Sequence, residues 1–428
     1  MKTNWLGLCL DLMFSAFGFD VAKVPGFMKL VDHAISVCGY SLDHPHSKNQ
    51  RQKVCWIYSY AGFGFHGIGS YSEALQWDMK ALELAQDVYG GKHENVMKII
   101  NNVAEIYSDL GEYMTALEWH GKALAICEEI LGDETAEAAT IYNNIAAVHH
   151  SLGNCADALQ GFERALKIRE AVLAPDDIDL AQSYNNLAGV HRLLGNIQEA
   201  LDFHNKALEL RMRVCGREHP LTAESLMNIA GIYAKGDLLD EALAFYEGAL
   251  EIYKKVFAEI ENHPGVANAY NSLASALIKK GDTETAFEYY SIALNMRLNS
   301  LGAKHPSTLA SRNNIAYVYS IRGEYKQALK MHMDILELKL ANSGEESLDA
   351  ATSYNNIGIC HYRLGGFDDA LAWLLKSFLI HKNTLSKGSY ETVNVEGNLH
   401  FAYDEAQKNA PGKYPLSFEE WEREVLAR

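Results

Sequence analysis

Cysteine is scarce and scattered. The seven thiols (Cys9, Cys38, Cys55, Cys127, Cys155, Cys215 and Cys360) are odd in number and contain no C-x-x-C pair. That pattern suggests neither a zinc ribbon nor a disulfide framework. No Asn-x-Ser/Thr acceptor occurs anywhere in the sequence, and the two shortages together favour a reducing, cytoplasmic setting. Long apolar runs are missing as well; none reaches the roughly 18 residues of a membrane helix, so no span is expected. Positive charge is the last shortage. Lys and Arg number 38 against 55 Asp and Glu, a formal charge of −17. This balance argues against nucleic acid, whose phosphates demand a basic face. Residues 4–19 are apolar and follow Lys2, as a signal peptide would, yet Asp11 interrupts them and no small-x-small cleavage site follows. The other reading of that stretch is a short amphipathic helix at the head of the chain.

What the sequence does contain is a period. Ala74, Ala116, Ala158, Ala200 and Ala242 fall 42 residues apart, Ala286 follows after 44, and Ala328 and Ala370 return to 42. Spacing this regular means stacked copies of one supersecondary unit. Within residues 139–174, Ile141, Ile145, Val148 and Leu152 recur at helical spacing, Gly153-Asn154 interrupts them, and a second helical stripe runs through Ala158, Phe162, Ala165 and Leu166. The unit is helix–turn–helix, and neither helix can bury its stripe alone. The turn glycine recurs as Gly69, Gly111, Gly153, Gly195, Gly281, Gly323 and Gly365, but in the fifth unit it slips to Gly236 and leaves Asp237 in its slot. A small residue recurs in the second helix at Ala81, Ala123, Ala165, Ala207, Ala249 and Ala293, whereas Ile335 and Ser377 depart from it. His219-Pro220, His263-Pro264 and His305-Pro306 place proline where a first helix begins and its missing N–H costs nothing.

These features resemble the tetratricopeptide repeat. The 42-residue period, the His-Pro entry and the Tyr-Asn-Asn-Leu-Ala string at 184–188 are similar to the repeats of kinesin light chains. The resemblance implies an all-α fold: a right-handed α-solenoid of about eight helix–turn–helix repeats over residues 53–388, the first degenerate. Residues 1–52 read as a leader with a short amphipathic segment and loop, and 389–428 as a capping helix and an acidic amphipathic tail. Gly62, Gly64, Gly67 and Gly69 crowd the first unit, which is expected to be the frayed end of the array, each glycine costing roughly 1 kcal/mol against alanine. A heavy-chain-binding coiled coil is not expected in residues 1–52, where Gly7, Gly18, Pro25, Gly26 and Pro45 break any heptad pattern.

Asparagine pairs are the feature most suggestive of function. Asn101-Asn102, Asn143-Asn144, Asn185-Asn186, Asn313-Asn314 and Asn355-Asn356 sit in first helices, with single residues at Asn228, Asn271 and Asn398. Asparagine is a mediocre helix former, so its recurrence at one register is not there to build the helix. An amide both donates and accepts, which suits a partner's peptide backbone. In the family resembled, asparagines at this register line a concave groove and hold an extended peptide; the alternative is an amide ladder locking one repeat to the next. Arg192, Lys235, Lys279 and Arg363, near the ends of first helices, suit an acidic peptide or, equally, are solvated cations at helix ends.

Other constellations are weaker. Gly62-x-Gly64-x-x-Gly67 follows a strand-like VCWIYSY run, but a dinucleotide turn needs a βαβ unit around it. His149, His191 and His361 share a register with Tyr107, Tyr233 and Tyr319, which points to a planar packing residue rather than a metal ligand. No cofactor and no metal are expected. The sequence therefore reads as a non-enzymatic protein–protein adaptor. A kinesin light chain linking motor and cargo is one alternative. A component self-associating through Trp56, Tyr58, Tyr60, Phe63 and Phe65 is another. The tail around Trp421 could dock intramolecularly in the groove, or pack Phe418 and Trp421 over the last repeat as a cap.

Overall fold

The computed structural model describes residues 48–67, 70–385 and 389–426; the leader before Lys48, with its apolar stretch at 4–19, lies outside them. Eighteen helices and no strand are found among the described residues. The chain divides into two compact units, one ending at Arg217 and the other starting at Glu218. The first holds four helix pairs: α1 (Lys48–Gly67) and α2 (Tyr71–Tyr89), α3 (Glu94–Asp109) and α4 (Tyr113–Ile130), α5 (Ala136–Ser151) and α6 (Cys155–Val172), α7 (Ile178–Leu193) and α8 (Ile197–Val214). The second holds α9 (Pro220–Lys235) and α10 (Leu239–Val256), α11 (Pro264–Lys280) and α12 (Thr283–Leu301), α13 (Pro306–Ile321) and α14 (Tyr325–Ser343), α15 (Leu348–Arg363) and α16 (Phe367–Thr384). Two further helices follow, α17 (Tyr390–Asn409) and α18 (Phe418–Leu426). The architecture is an all-α solenoid of helical hairpins.

Local chemistry sets where each helix starts and stops. The His-Pro histidines are N-caps: Nδ1 of His219, His263 and His305 accepts the N–H of Leu221, Gly265 and Ser307 at 3.2, 3.1 and 3.2 Å. Thr135 and Ser347 cap α5 and α15 through their hydroxyls. At the other end of α5, Gly153 takes φ +76, and the N–H groups of Gly153 and Asn154 reach back to the carbonyls of His150 and His149. This is the left-handed C-terminal motif that satisfies the last carbonyls. Asp237, standing in the displaced glycine slot, still adopts φ +57.

The periodic alanines from Ala74 to Ala370 are fully buried, as are Ala81, Ala123, Ala165, Ala207, Ala249 and Ala293. There the two helices of a hairpin approach too closely for a larger side chain. Ser377 replaces the second small residue and turns its hydroxyl onto the Ala351 carbonyl at 2.7 Å. Buried cations bolt successive repeats together. Arg169 in α6 donates to Ser183 Oγ (2.7 Å) and the Asp179 carbonyl (3.2 Å) of α7. Arg297 in α12 does the same to Ser311 Oγ (2.6 Å) and the Ser307 carbonyl (3.0 Å) of α13.

The residues of the strand-like run lie inside α1, so no βαβ unit surrounds the glycines, and the dinucleotide turn is corrected to helix. At Gly62 the glycine has a packing cause: a Cβ there would fall 2.5 Å from Asp78 Oδ1. α1 starts at Lys48, within the span read as leader. Tyr58 and Phe65 are buried core residues, which removes them from the aromatic patch postulated for self-association; Phe63 is 55% exposed.

Candidate functional site

In the first unit the first helices form a continuous row, and in the second unit the row contacts are found at its two ends. α1 meets α3, α3 meets α5 and α5 meets α7, while in the second unit α9 meets α11 and α15 meets α17; no second helix packs as closely on the next second helix. The first helices are therefore the crowded inner side of each unit, and the asparagines sit on it.

In the first unit the structure gives the two members of each pair different environments. Asn101, Asn143 and Asn185 are buried, whereas Asn102, Asn144 and Asn186 are half-buried. Asn228, Asn271, Asn313, Asn314, Asn355 and Asn356 in the second unit are half-buried too. A ladder of amide bonds runs between repeats. Asn144 Nδ2 donates to Asn101 Oδ1 (3.4 Å) and Asn186 Nδ2 to Asn143 Oδ1 (2.7 Å). In the second unit Asn314 Nδ2 donates to Asn271 Oδ1 (2.8 Å) and Asn398 Nδ2 to Asn355 Oδ1 (3.1 Å). In these four bonds the second amide of one repeat binds the first amide of the repeat before it. The ladder leaves hydrogen-bonding capacity unused, since a primary amide offers two donors and two acceptor lone pairs.

Sequence reasoning missed what stands beneath the row. His120 Nδ1 lies 3.0 Å from Asn101 Oδ1 and donates to it. In the fourth repeat Asn185 donates to His204 Nδ1 (2.8 Å) and accepts from the Arg211 guanidinium (3.1 Å). Burial drives both imidazoles down to about 4, helped at His204 by Arg192 and Arg211. They are neutral spacers, not switches. Glu105 was missed too: its Oε1 accepts from Asn101 (3.0 Å) and Asn144 (2.6 Å), and burial raises its carboxyl. The signal was available, because His120, His204 and His332 each fall 19 residues after the first-position asparagine of their repeat.

The four cations separate. Arg192 is half-buried, close enough to help hold His150 and His204 neutral, after burial itself. Lys279 is turned back onto the Ala234 carbonyl (2.6 Å) and faces Asp237 at 3.8 Å. Lys235 is exposed, and so is Arg363, whose guanidinium lies 5.5 Å from the Tyr362 ring centre. Arg363 shares a pocket of about 480 Å³ with Asn313 and Asn356. A cleft of about 340 Å³ between α3 and α5 is instead lined by Asn101, Asn102, Lys98, Glu105 and Glu137, so that end of the row carries acid.

The shared histidine/tyrosine register holds packing rings: His191 stacks on Phe203 (5.4 Å) and Tyr233 on Phe245 (5.5 Å). Among the described residues no three His, Cys, Asp or Glu side chains converge on a possible metal site, and no helix is long and apolar enough to cross a membrane. In the tail, Trp421 lies 4.7 Å from the Tyr403 ring and Phe418 is buried beside it, so both cover α17.

The family model for the tetratricopeptide repeat matches residues 53–129, 95–171, 179–255, 265–341 and 323–383. The chain belongs to the tetratricopeptide repeat family, an architecture of protein-binding solenoids. No curated protein matches its sequence. Several solved structures share the fold. A signal-transduction ATPase with a tetratricopeptide repeat sensor from Pyrococcus horikoshii is 16% identical, with 90% of this chain and 53% of that one covered and a TM-score of 0.56. A Rap protein complexed with competence and sporulation factor is 13% identical over 83% of this chain and 98% of its own, TM-score 0.51. The nearly identical kinesin-light-chain TPR-like repeats of Podosopora anserina are 21% identical over 49% of this chain and 99% of theirs, TM-score 0.42.

Proposed function

We propose that the protein is a cytoplasmic, non-enzymatic adaptor that holds an extended, acidic peptide segment of a partner protein along the first-helix row. The observation carrying this reading is the division of labour within the asparagine pairs. In the first unit the first amide is buried, held by the layer below at Asn101 and Asn185 and by the next repeat's amide at Asn143, and the second is half-buried with hydrogen-bonding capacity left over. An amide held in place by its neighbour loses little entropy when it meets a peptide group, and such preorganisation favours binding. The acidic preference follows from Arg192 and Arg363, which lie on first helices beside these amides. The acidic cleft at Glu105 and Glu137 directs a negatively charged segment toward the later repeats of the first unit or to the second unit.

The test is fluorescence anisotropy of labelled acidic peptides against wild type and an Arg192→Glu/Arg363→Glu chain. Affinity is expected to fall about tenfold or more, with a shallower salt dependence, because exposed charges act through a screened field. Equal affinity and equal salt dependence would remove the acidic preference, and no binding by either chain would remove the peptide reading.

A further inference from the structure

The seventh repeat departs from the second, which carries the same residues at the same positions. In the second repeat the buried histidine and the first asparagine bond to each other, and the next repeat's second asparagine adds a bond from above. The seventh repeat has the same residues at the same positions: Asn313, His332 and, one repeat on, Asn356. Yet Asn313 Oδ1 and His332 Nδ1 are both buried without a hydrogen-bond partner, and Asn356 makes no ladder bond to Asn313. α13 lacks with both α11 and α15 the close row contact that joins α15 to α17, and only toward α11 does an amide bond cross the gap. Both orphaned residues line the pocket of about 480 Å³ that Arg363 borders, and His332 is only 4% exposed. A buried polar atom left unpaired is unfavourable, so a group that pairs both is favoured there.

We infer that this pocket recognises a carboxamide, the side chain of a glutamine or asparagine in the bound peptide. Its NH2 donates to Asn313 Oδ1, and its carbonyl accepts from His332 Nδ1–H. The inference rests on the peptide-binding reading above and adds a specificity to it. Other side chains fit less well. A carboxylate has no proton to give Asn313 Oδ1 and would set two acceptors against each other. A lysine or arginine would satisfy that oxygen but would share the pocket with the Arg363 guanidinium. An apolar group would leave both buried atoms unpaired. His332 lies on α14, the second helix of its repeat, and is almost fully buried, which favours a protruding side chain over a peptide backbone as its partner. A hydroxyl also carries both functions but on a single atom, whereas a carboxamide presents its donor and its acceptor on separate atoms, one for each orphaned partner.

Selection of a display library of short random peptides on the full chain tests this. Wild type is expected to enrich glutamine or asparagine about tenfold at one position, equivalent to about 1.4 kcal/mol. A His332→Phe chain is expected to lose that enrichment while still binding peptides. Should the variant melt early, the wild-type imidazole ¹⁵N resonance of His332 replaces it: the signal should shift with the selected peptide and not with its Gln→Glu or Asn→Asp counterpart. Bound peptides with no carboxamide preference, or an unmoved resonance, would overturn the inference and leave peptide binding intact. If no peptide binds wild type, the adaptor reading fails first and this inference with it.

Discussion

Asn186 Nδ2 sits 2.7 Å from Asn143 Oδ1, a bond that spans 43 residues of sequence and joins neighbouring repeats through equivalent positions. Because a solenoid is held together only by contacts between neighbours, the bond contributes to the α5–α7 interface. Asn186→Ala removes the donor and leaves a buried acceptor behind. Stability is expected to fall by about 1–2 kcal/mol, read as a lower urea midpoint. A midpoint equal to wild type would mean that the ladder is incidental to stability.

Arg297→Ala should cost more, about 3 kcal/mol, because a charged group's hydrogen bonds to Ser311 Oγ and the Ser307 carbonyl are lost along with the packing of its stem. Arg297→Met keeps the stem and should recover about half of that loss. The same denaturation series checks both, and equal losses would assign the whole effect to charge.

Asp237→Gly acts in the opposite direction. At φ +57 an L-residue strains its backbone by about 1 kcal/mol, which glycine does not. The contact with Lys279 at 3.8 Å is exposed and worth little. The variant should therefore raise the melting temperature of the chain, and a lowered one would show that the Asp237 side chain matters beyond its φ.

Asp78 predicts a pH dependence. Burial, and then the charge of Glu105, push its carboxyl from the usual 3.8 up to about 8. Below the unfolded value the group is neutral in both states and contributes nothing to the pH slope. As pH rises from about 4 the unfolded chain ionises while the folded chain holds the proton, so stability falls until about pH 8 and then levels. Protection factors of α1 and α2 amides, which take out base-catalysed exchange, should fall across that window, and Asp78→Asn should flatten the trend. Protection that is constant from about pH 5 to pH 8 in wild type would place Asp78 in contact with a countercharge.

Much of the fold was legible because repetition averages out local ambiguity. One Gly-Asn turn is weak evidence; the same turn at a fixed interval is strong, since each copy samples the same backbone requirement. Ala116 and Ala123 announce a helix-to-helix approach by being small where an amphipathic stripe calls for bulk. The strand-like run in α1 misled for the same local reason: β-branched and aromatic residues suit either element, and packing against α2 decides.

The candidate site was legible only in part. Sequence alone determined the hairpin period, the caps, the αL turns and the register at which asparagines recur, because these depend on neighbours within a few residues along the chain. Which amide is buried and which half-open, the pairing of Asn101 with His120, the turning of Lys279 onto the Ala234 carbonyl and the unpaired atoms of Asn313 and His332 were decided by the tertiary structure. The two contacts join residues 19 and 45 positions apart, and burial and partners at that range are set by how helices stack rather than by the order of residues along one helix.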